Sequence, residues 1–455
     1  MSAGRAGDAL VFEIGSTTTV VSAFVGLTAD ASQAQGAATG VHPRLIGQGF
    51  APTSVAAGDV ALGLAEARAR LEADLGVLQP GVTLATSSAA GGLRMTVHGL
   101  TQRMTAAAAR EAALGAGAVV TFQTAGQLRD TDLARVAEEA PSLVLLAGGV
   151  EGGDVETVLF NAGRLAELPE RPIVVYAGNS TVRDEARQML ERAGFRVRVT
   201  DNVYPAIDKL DIVPARAVIH DAFEEHITHA PGMERIRELV SGRILPTPGA
   251  VLIAAEKLAD AVGDLVVVDV GGATTDVHSI TDGSPEIAAI SVEPQPHSRR
   301  TVEGDLGTFV SASHVAQAMD PAERPQTLPP AVPHAAADVA AAVALGRYCA
   351  VAAVERHAGQ LEYLYTPTGR QTVASGRDLT SCRLIVGTGG ALVRLPDGEA
   401  TLRLTRGRKG ATRLLPPVDA RCVLASHYLI ACCGSLSAHF ATDAVVRLMR
   451  DSTGL

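Results

Sequence analysis

Two stretches of the chain share one order of residue types. Glu13-Ile14-Gly15-Ser16-Thr17-Thr18-Thr19 and Asp269-Val270-Gly271-Gly272-Ala273-Thr274-Thr275 both run carboxylate, apolar, glycine, small, small, threonine, threonine. Each closes an apolar run and is followed by a β-branched one. A carboxylate at such a turn can orient water or hold a hydrated Mg²⁺. Glycine lets the backbone bend and approach a phosphate without a Cβ in the way. Successive turn N–H groups and the Ser and Thr hydroxyls then converge on phosphate oxygens. Either turn alone is most often only a hairpin. The pair is a stronger signal, because two unrelated hairpins need not share their acid, glycine and threonine positions. If both face one cleft, they can grip a triphosphate between them.

A third stretch, Leu384-Ile385-Val386-Gly387-Thr388-Gly389-Gly390-Ala391, is a strand ending in a glycine-rich turn. We read Gly387, Thr388, Gly389 and Gly390 as a nucleoside contact, against the plainer alternative of a glycine-capped helix end. Its counterpart in the first half is taken as Leu143-Val144-Leu145-Leu146-Ala147-Gly148-Gly149-Val150, with a scaffolding role for the two glycines. Gly148 lies 135 residues after Glu13, and Gly389 lies 120 after Asp269.

The elements that must position these turns follow from hydrophobic period and breakers. Strands are expected over 10–14, 20–25, 45–50 and 82–86, with a helix over 60–75 capped by Asp59 and another over 106–114. Between 118 and 199, strands over 119–122, 143–146, 173–176 and 197–199 alternate with helices such as 131–139 and 182–193. That alternation implies parallel strands with crossover helices. Pro246-Thr247-Pro248-Gly249 marks a joint, followed by a helix over 250–262. A second block places strands over 265–270, 277–280, 287–292 and 384–386. A proline-rich loop over 321–333 precedes a helix over 335–358, and a last helix lies near 438–449. The chain thus divides into a first lobe, 1–245, and a second, 246–455. Residues 118–204 either elaborate the first lobe or form an inserted α/β unit.

Of 455 residues, 47% are hydrophobic but only 3% aromatic, none is Trp, and 46 are Gly. The core must be built from Ala, Val and Leu, with many tight turns. A net charge of −10 and the absence of a long basic run argue against a nucleic-acid surface. No secretory signal is visible, since a strand begins almost at once after a short polar start. The most apolar tract, 339–354, is interrupted by Arg347 and reads as a buried helix rather than a membrane span, which needs roughly 20 apolar residues. Five cysteines without a C-x-x-C pair fit a reducing cytoplasm and not a zinc site.

Taken together, the turns resemble those of the actin, Hsp70 and sugar-kinase superfamily of ATPases. The first turn is similar to its phosphate-1 motif, the second to phosphate-2, and 385–391 to its adenosine motif. The resemblance implies an α/β protein with two RNase-H-like lobes and an interlobe nucleotide cleft holding ATP and Mg²⁺. It implies that Glu13 and Asp269 act in catalysis. The nucleotide would be bound by Gly15, Ser16, Thr17 and Thr18, by Gly271, Gly272, Ala273, Thr274 and Thr275, and by 387–390. Asp276 on the following strand matches the second acid of the Hsp70-like branch and joins Glu13 and Asp269 as an expected metal ligand. One departure stands out. The family has Asp in the first turn where this chain has Glu13, so hydrolysis is expected to be slow or differently arranged.

A narrower resemblance covers nearly the whole chain. Phe12 to Thr19, the Leu146-Ala147-Gly148-Gly149-Val150-Glu151-Gly152-Gly153 run, His226-Ile227-Thr228-His229-Ala230-Pro231-Gly232, Pro246-Thr247-Pro248, Thr366-Pro367-Thr368-Gly369-Arg370 and the 385–390 turn resemble the MutL/GlmL proteins. These accompany adenosylcobalamin-dependent mutases such as glutamate mutase and are unrelated to the mismatch-repair protein of the same name. The resemblance implies an ATP-driven, slowly hydrolysing chaperone that reactivates such a mutase. Its expected partners are mutase subunits and nucleotide, with no nucleic acid and no membrane.

Other features have plainer readings. His220, Glu224, His226 and His229 could share a helical face and bind a divalent metal, although a polar helix end or partner contact is commoner. Cys432-Cys433 reads as structural. Arg403, Arg406, Arg408, Lys409 and Arg413 form a cationic stretch that is first a solvated loop and second a contact for an acidic partner. The 304–307 segment receives no chemistry. Three rival functions share the lobe pattern. A small-molecule kinase of the sugar or acetate kinase class would need an additional acid as base. An electron-transfer activator would need cluster ligands such as Cys382 and Cys422. A nucleotide-binding regulator without hydrolysis gains from Glu13.

Overall fold

A computed structural model describes residues 5–28, 42–54, 59–88, 93–227, 233–366, 369–408 and 411–455. Thr228 and His229, Pro367 and Thr368, and Lys409 lie outside them. The chain forms two compact units. One comprises Met1–Ala89, Pro231–Val292 and His297–Leu455; the other comprises Ala90–Ala230 with Glu293–Pro296.

In the first unit, β1 (Arg5–Ile14), β2 (Thr18–Val25) and β3 (Arg44–Pro52) form an antiparallel meander, and β4 (Leu78–Ser87) returns parallel to β1. The return is made by the helix Val60–Leu75. Asp59 caps it by accepting from the Ala61 N–H at 2.9 Å, and Gly76 ends it at φ 83°. Its buried stripe Val60, Gly63, Leu64, Ala67, Leu71 follows helical spacing. The helix can lie flat on β3 because a Cβ at Gly49 would meet the Ala67 carbonyl at 1.9 Å.

The second unit contains β5 (Leu93–Gly99), β6 (Ala118–Ala125), β7 (Leu143–Leu146), β8 (Ile173–Tyr176) and β9 (Val197–Val199), all parallel, in the order β6-β5-β7-β8-β9. This is the doubly wound flavodoxin-like order. β7 and β8 are buried throughout, as continuous apolar runs in a parallel sheet must be.

Back in the first unit, β10 (Ile244–Pro246) completes the first sheet as β10-β4-β1-β2-β3. A second sheet is built from β11 (Leu265–Val270), β12 (Thr275–Ile280) and β13 (Ser298–Glu303). β14 (Gln360–Thr366) and β15 (Gly369–Ser375) form a separate hairpin, and β16 (Leu384–Thr388) and β17 (Arg421–Leu424) complete the sheet as β13-β12-β11-β16-β17. Both five-stranded sheets of this unit have three antiparallel strands followed by two that run parallel to the first. The protein is therefore an α/β fold with two RNase-H-like halves in one unit.

The core follows from the period of two along each strand. Val267 and Leu265 join Val11, Phe24 and Leu84 in one cluster with the helices Thr247–Val262, Leu429–Leu436 and Thr442–Thr453. Val266 and Val268 point the other way, to the helix Ala336–His357 with Leu345, Cys349 and Ala353. That helix is long and apolar enough to cross a membrane, but its buried side is committed to this cluster. All five cysteines are buried and unpaired with one another.

Three expectations are corrected. Residues 287–292 do not form a strand. Ser284 accepts from the Ile287 N–H at 3.3 Å and Pro285 starts a short helix, Pro285–Ala288. The third antiparallel strand is β13, whose arginines resemble a surface segment. The Leu143 stretch is also not the counterpart of the Leu384 stretch. β7 belongs to the other unit, and the strand that pairs with β1 as β16 pairs with β11 is β4. The last helix, Thr442–Thr453, starts a turn later than its sequence period implied.

Candidate functional site

The two threonine-rich turns have the same internal bond. Gly15 N–H donates to the Thr18 carbonyl at 3.0 Å, and Gly271 N–H donates to the Thr274 carbonyl at 2.9 Å. Each is also held from the segment that follows the third antiparallel strand of its sheet. The Thr53 hydroxyl donates to the Gly15 carbonyl at 2.8 Å, and the Thr308 hydroxyl to the Gly271 carbonyl at 3.4 Å. The turns touch, since a Cβ at Gly272 would lie 3.2 Å from Thr17 Cγ2.

Between them lies a cavity of about 380 Å³. Its wall includes Glu13, Gly15, Ser16, Thr17 and Thr18 from the first turn, and Asp269, Gly271, Gly272, Ala273, Thr274 and Asp276 from the second. Thr388, Gly389 and Gly390 come from the third. Two expected residues are absent from the wall. Thr275 is buried and donates to the Leu306 carbonyl at 2.8 Å. Gly387 packs against Leu402 and Leu424, whose methyl carbons would lie 2.8 Å from a Cβ there. Gly389 has the closest approach, because a Cβ there would fall 2.4 Å from both Asp269 Oδ1 and the Val270 carbonyl, at φ 86°.

The acids differ in their surroundings. Asp276 accepts from Arg300 Nε at 2.8 Å and from the Thr274 hydroxyl at 3.2 Å, and Arg300 is itself 1% exposed. It is thus already neutralised. Glu13 and Asp269 are in no ion pair among the described residues. Burial, then the charge of Asp269, pushes the Glu13 carboxyl up to about 8, against a smaller lowering by Arg394. Burial, then Asp276, pushes Asp269 up to about 7, with Arg300 opposing. Part of each side chain faces the cavity, where water moderates the penalty without cancelling it. Two raised carboxyls on one wall are a place that favours the arrival of a cation.

Two orphaned atoms test the fit of a metal-bound nucleotide. Glu13 Oε2 and Thr247 Oγ1 are buried without a hydrogen-bond partner, and both residues line the cavity. The first suits a cation or its water. The second stands at the N-terminus of the 16-residue helix Thr247–Val262, where an anion is favoured. No trio of His, Cys, Asp or Glu is placed to hold a metal by itself among the described residues. A Mg²⁺ here would have to rely on one or two carboxylates plus phosphate oxygens. The residues fit the group.

Sequence reasoning missed part of the wall. Arg394, four residues after Gly390, lies 4.0 Å above the Phe50 ring and 4.9 Å from that of Tyr428. Pro330 and Pro333, from the proline-rich loop, also line it. Tyr428 and His427 both take left-handed backbone, at φ 57° and 62°. Such strain costs about 1–3 kcal/mol per residue and collects at ligand sites. The arginine could have been found from its place after the third turn; the strained pair had no sequence signal.

The profile of the MutL protein family matches residues 9–453. The chain belongs to the MutL family. Among its relatives, Protein MutL of Clostridium tetanomorphum is 36% identical over 392 residues, covering 81% of this chain and 85% of that protein. Two solved structures overlay more loosely. A nucleotide-free acetone carboxylase, from work on ATP-dependent acetone carboxylation, gives a TM-score of 0.32 at 15% identity, covering 66% of this chain and 48% of that one. The chain thus spans about half the length of that carboxylase chain. Xylulose kinase from Bifidobacterium adolescentis gives a TM-score of 0.26 at 12% identity, covering 98% and 93%. Both scores are low, and the fold is read from strand order instead.

Other sequence candidates are placed as follows. His220 and Glu224 lie on the helix Val213–Ile227, and both have partners. Cys382 and Cys422 are buried. Asp305, in the 304–307 segment, is bound by Arg356 at 2.7 Å, while Gly307 packs on the Ala273 backbone.

Proposed function

We propose that this MutL-family protein binds ATP with Mg²⁺ between lobes 1–245 and 246–455, hydrolyses it slowly, and reactivates an adenosylcobalamin-dependent mutase of the glutamate mutase type in a reducing cytoplasm. The observation that carries this reading is the meeting of the Glu13 and Asp269 turns on one cavity. The turn N–H groups and the hydroxyls of Ser16, Thr17 and Thr274 are suited to hold phosphate oxygens, as is Thr247. Gly389 and Gly390 give a nucleoside room against the second lobe. Glu13 and Asp269 would hold the hydrated Mg²⁺, whose charge offsets that of the phosphates. With the cation present, both carboxyls give up their protons, and Glu13 can orient the attacking water or accept its proton.

Closure and release follow from the same contacts. A triphosphate touching both turns favours the closed lobes, and loss of the γ-phosphate removes part of that preference. A mutase surface that prefers one arrangement is thereby pulled or released. The relative named Protein MutL and the family membership support an accessory role.

The test is ATP turnover without an added acceptor, measured with and without purified mutase subunits. Stimulation by the mutase supports the proposal. Turnover that depends on a sugar or carboxylic acid acceptor would instead make the protein a small-molecule kinase. Tight ATP binding without any turnover would make it a regulator.

A further inference from the structure

The stretch 400–418 carries four arginines and one lysine and no acidic residue, in a chain of net charge −10. It leads into β17, the outermost strand of the second sheet, which is bonded on one side only, to β16. Beside that edge runs a groove of about 520 Å³. Residues 419–424, the whole length of β17, line it, with Arg403 and Arg406 reaching in from the stretch before. The next strand of the sheet would lie here.

The charges in the groove do not balance. Arg403 is paired with Glu399, and Asp419 with Arg383 at 3.0 Å. Arg406 Nη1 donates to the Val418 carbonyl at 3.1 Å, and its guanidinium also lies against the Cys422 thiol, which is no counter-charge. Arg421 Nη2 donates to the Gly454 carbonyl at 2.7 Å. Neither Arg406 nor Arg421 is in an ion pair among the described residues. Cys422 packs into one core cluster and Val423 into the other, so successive β17 side chains leave on opposite faces. Arg421 shares the face of Val423, and an added strand would meet arginines above and below.

We propose that this groove binds an extended acidic segment of a partner protein, which adds to β17 as a sixth strand and places carboxylates on Arg406 and Arg421. Strand addition supplies main-chain hydrogen bonds and alternate side-chain pockets supply selectivity. Arginine–carboxylate pairs are the stronger, planar kind of charged contact. A free phosphate would satisfy the guanidinium groups but leave the strand edge unpaired. Nucleic acid would meet an acidic protein overall.

The test uses the full-length protein and a fluorescein-labelled octapeptide of Glu and Val, followed by anisotropy. Three companions are a Lys-for-Glu version, a version of equal charge with two central prolines, and inorganic pyrophosphate as competitor. The expected result is binding of the acidic peptide alone. Loss should be about tenfold for Arg406→Gln or Arg421→Gln, equivalent to about 1.4 kcal/mol each. The proline peptide should bind as weakly, because it cannot pair with the edge. Slowed amide exchange across 421–424 on adding the peptide checks the site without any substitution. Equal binding of the proline or the Lys-for-Glu peptide, full displacement by pyrophosphate, or unchanged exchange at β17 would each overturn the proposal. ATP binding in the cavity should be the same in both variants, so this result is independent of the nucleotide reading.

Discussion

Glu13 and Asp269 occupy one and the same position in two copies of a sheet. Glu13 stands opposite Val20 on its antiparallel side and Thr86 on its parallel side, and Asp269 stands opposite Asp276 and Thr388 at the same two places. The copies differ where chemistry is asked of them. Val20 in the first copy is replaced by Asp276 in the second, and that added charge is offset by the buried Arg300.

The raised carboxyls make stability depend on pH in a definite sense. Their folded pKa values, about 8 for Glu13 and about 7 for Asp269, exceed the ordinary 4.5 and 3.8, so the folded state holds more protons across that interval. Stability is then greatest below it and falls as pH rises through the folded values. Buried His98, His278 and His357 have lowered pKa values and act in the opposite sense, but only below about 6.5. Thermal unfolding of the nucleotide-free protein should therefore show a lower Tm at pH 8.5 than at pH 7. Glu13→Gln should flatten that slope and raise the Tm at the alkaline end. A variant as pH-sensitive as the wild type would contradict this account.

The same two acids should separate binding from turnover. Asp269→Asn and Glu13→Gln are expected to lower ATP hydrolysis by about 100-fold or more, while ATP affinity changes by less than about tenfold. Glu13→Asp is expected to raise turnover, because the shorter carboxylate leaves room for water at the first turn. Single-turnover hydrolysis alongside calorimetric ATP titration checks all three. Equal losses in affinity and rate would point to a damaged pocket and not to missing chemistry.

Two glycines in one turn should respond unequally. Gly389→Ala forces a side chain onto left-handed backbone, 2.4 Å from Asp269 Oδ1 and from the Val270 carbonyl, and that carbonyl, as backbone of β11, cannot swing aside as a side chain can. A cost of about 2–4 kcal/mol is expected from strain and overpacking together. Gly387→Ala meets only the ends of leucine side chains, Leu402 and Leu424 at 2.8 Å and Leu392 at 3.3 Å, and should cost about 1–2 kcal/mol. Urea unfolding with a constant m-value measures both, and the order of the two is the prediction.

Arg300 should prove indispensable only while Asp276 is present. Arg300→Met strands a buried carboxylate and is expected to destabilise by about 3–5 kcal/mol. Adding Asp276→Leu should restore most of that loss, since a well-packed apolar pair replaces a buried ion pair at little cost. A double variant no more stable than Arg300→Met would show that the pair does more than neutralise itself.

Much of the site was legible in the residues because its turns are local. Gly15 to Thr18 and Gly271 to Thr274 close through bonds spanning three residues, so their shape is written in a short run of residue types. The helix capped by Asp59 and the apolar runs of β7, β8 and β11 were legible for the same reason: a period of 3.6 or an unbroken buried strand shows in a short window. Thr275 and Gly387 carry the right residue types yet leave the cavity wall. Whether such a side chain or backbone faces the cavity or the core depends on what packs behind it.

The sequence by itself determined that two like turns exist, which acids head them, and that both halves are α/β. Only the tertiary structure decided that β4 and not β7 partners β1, that the arginine-bearing β13 is the third antiparallel strand, at the edge of the second sheet, and that Asp276 is already matched by Arg300. It also brought Arg394 and Tyr428 to the rim. The reason is range. A turn is held by neighbours in sequence, whereas strand order and the burial of a charge depend on groups tens or hundreds of residues away, and 141 residues of another unit lie between β4 and its neighbour β10.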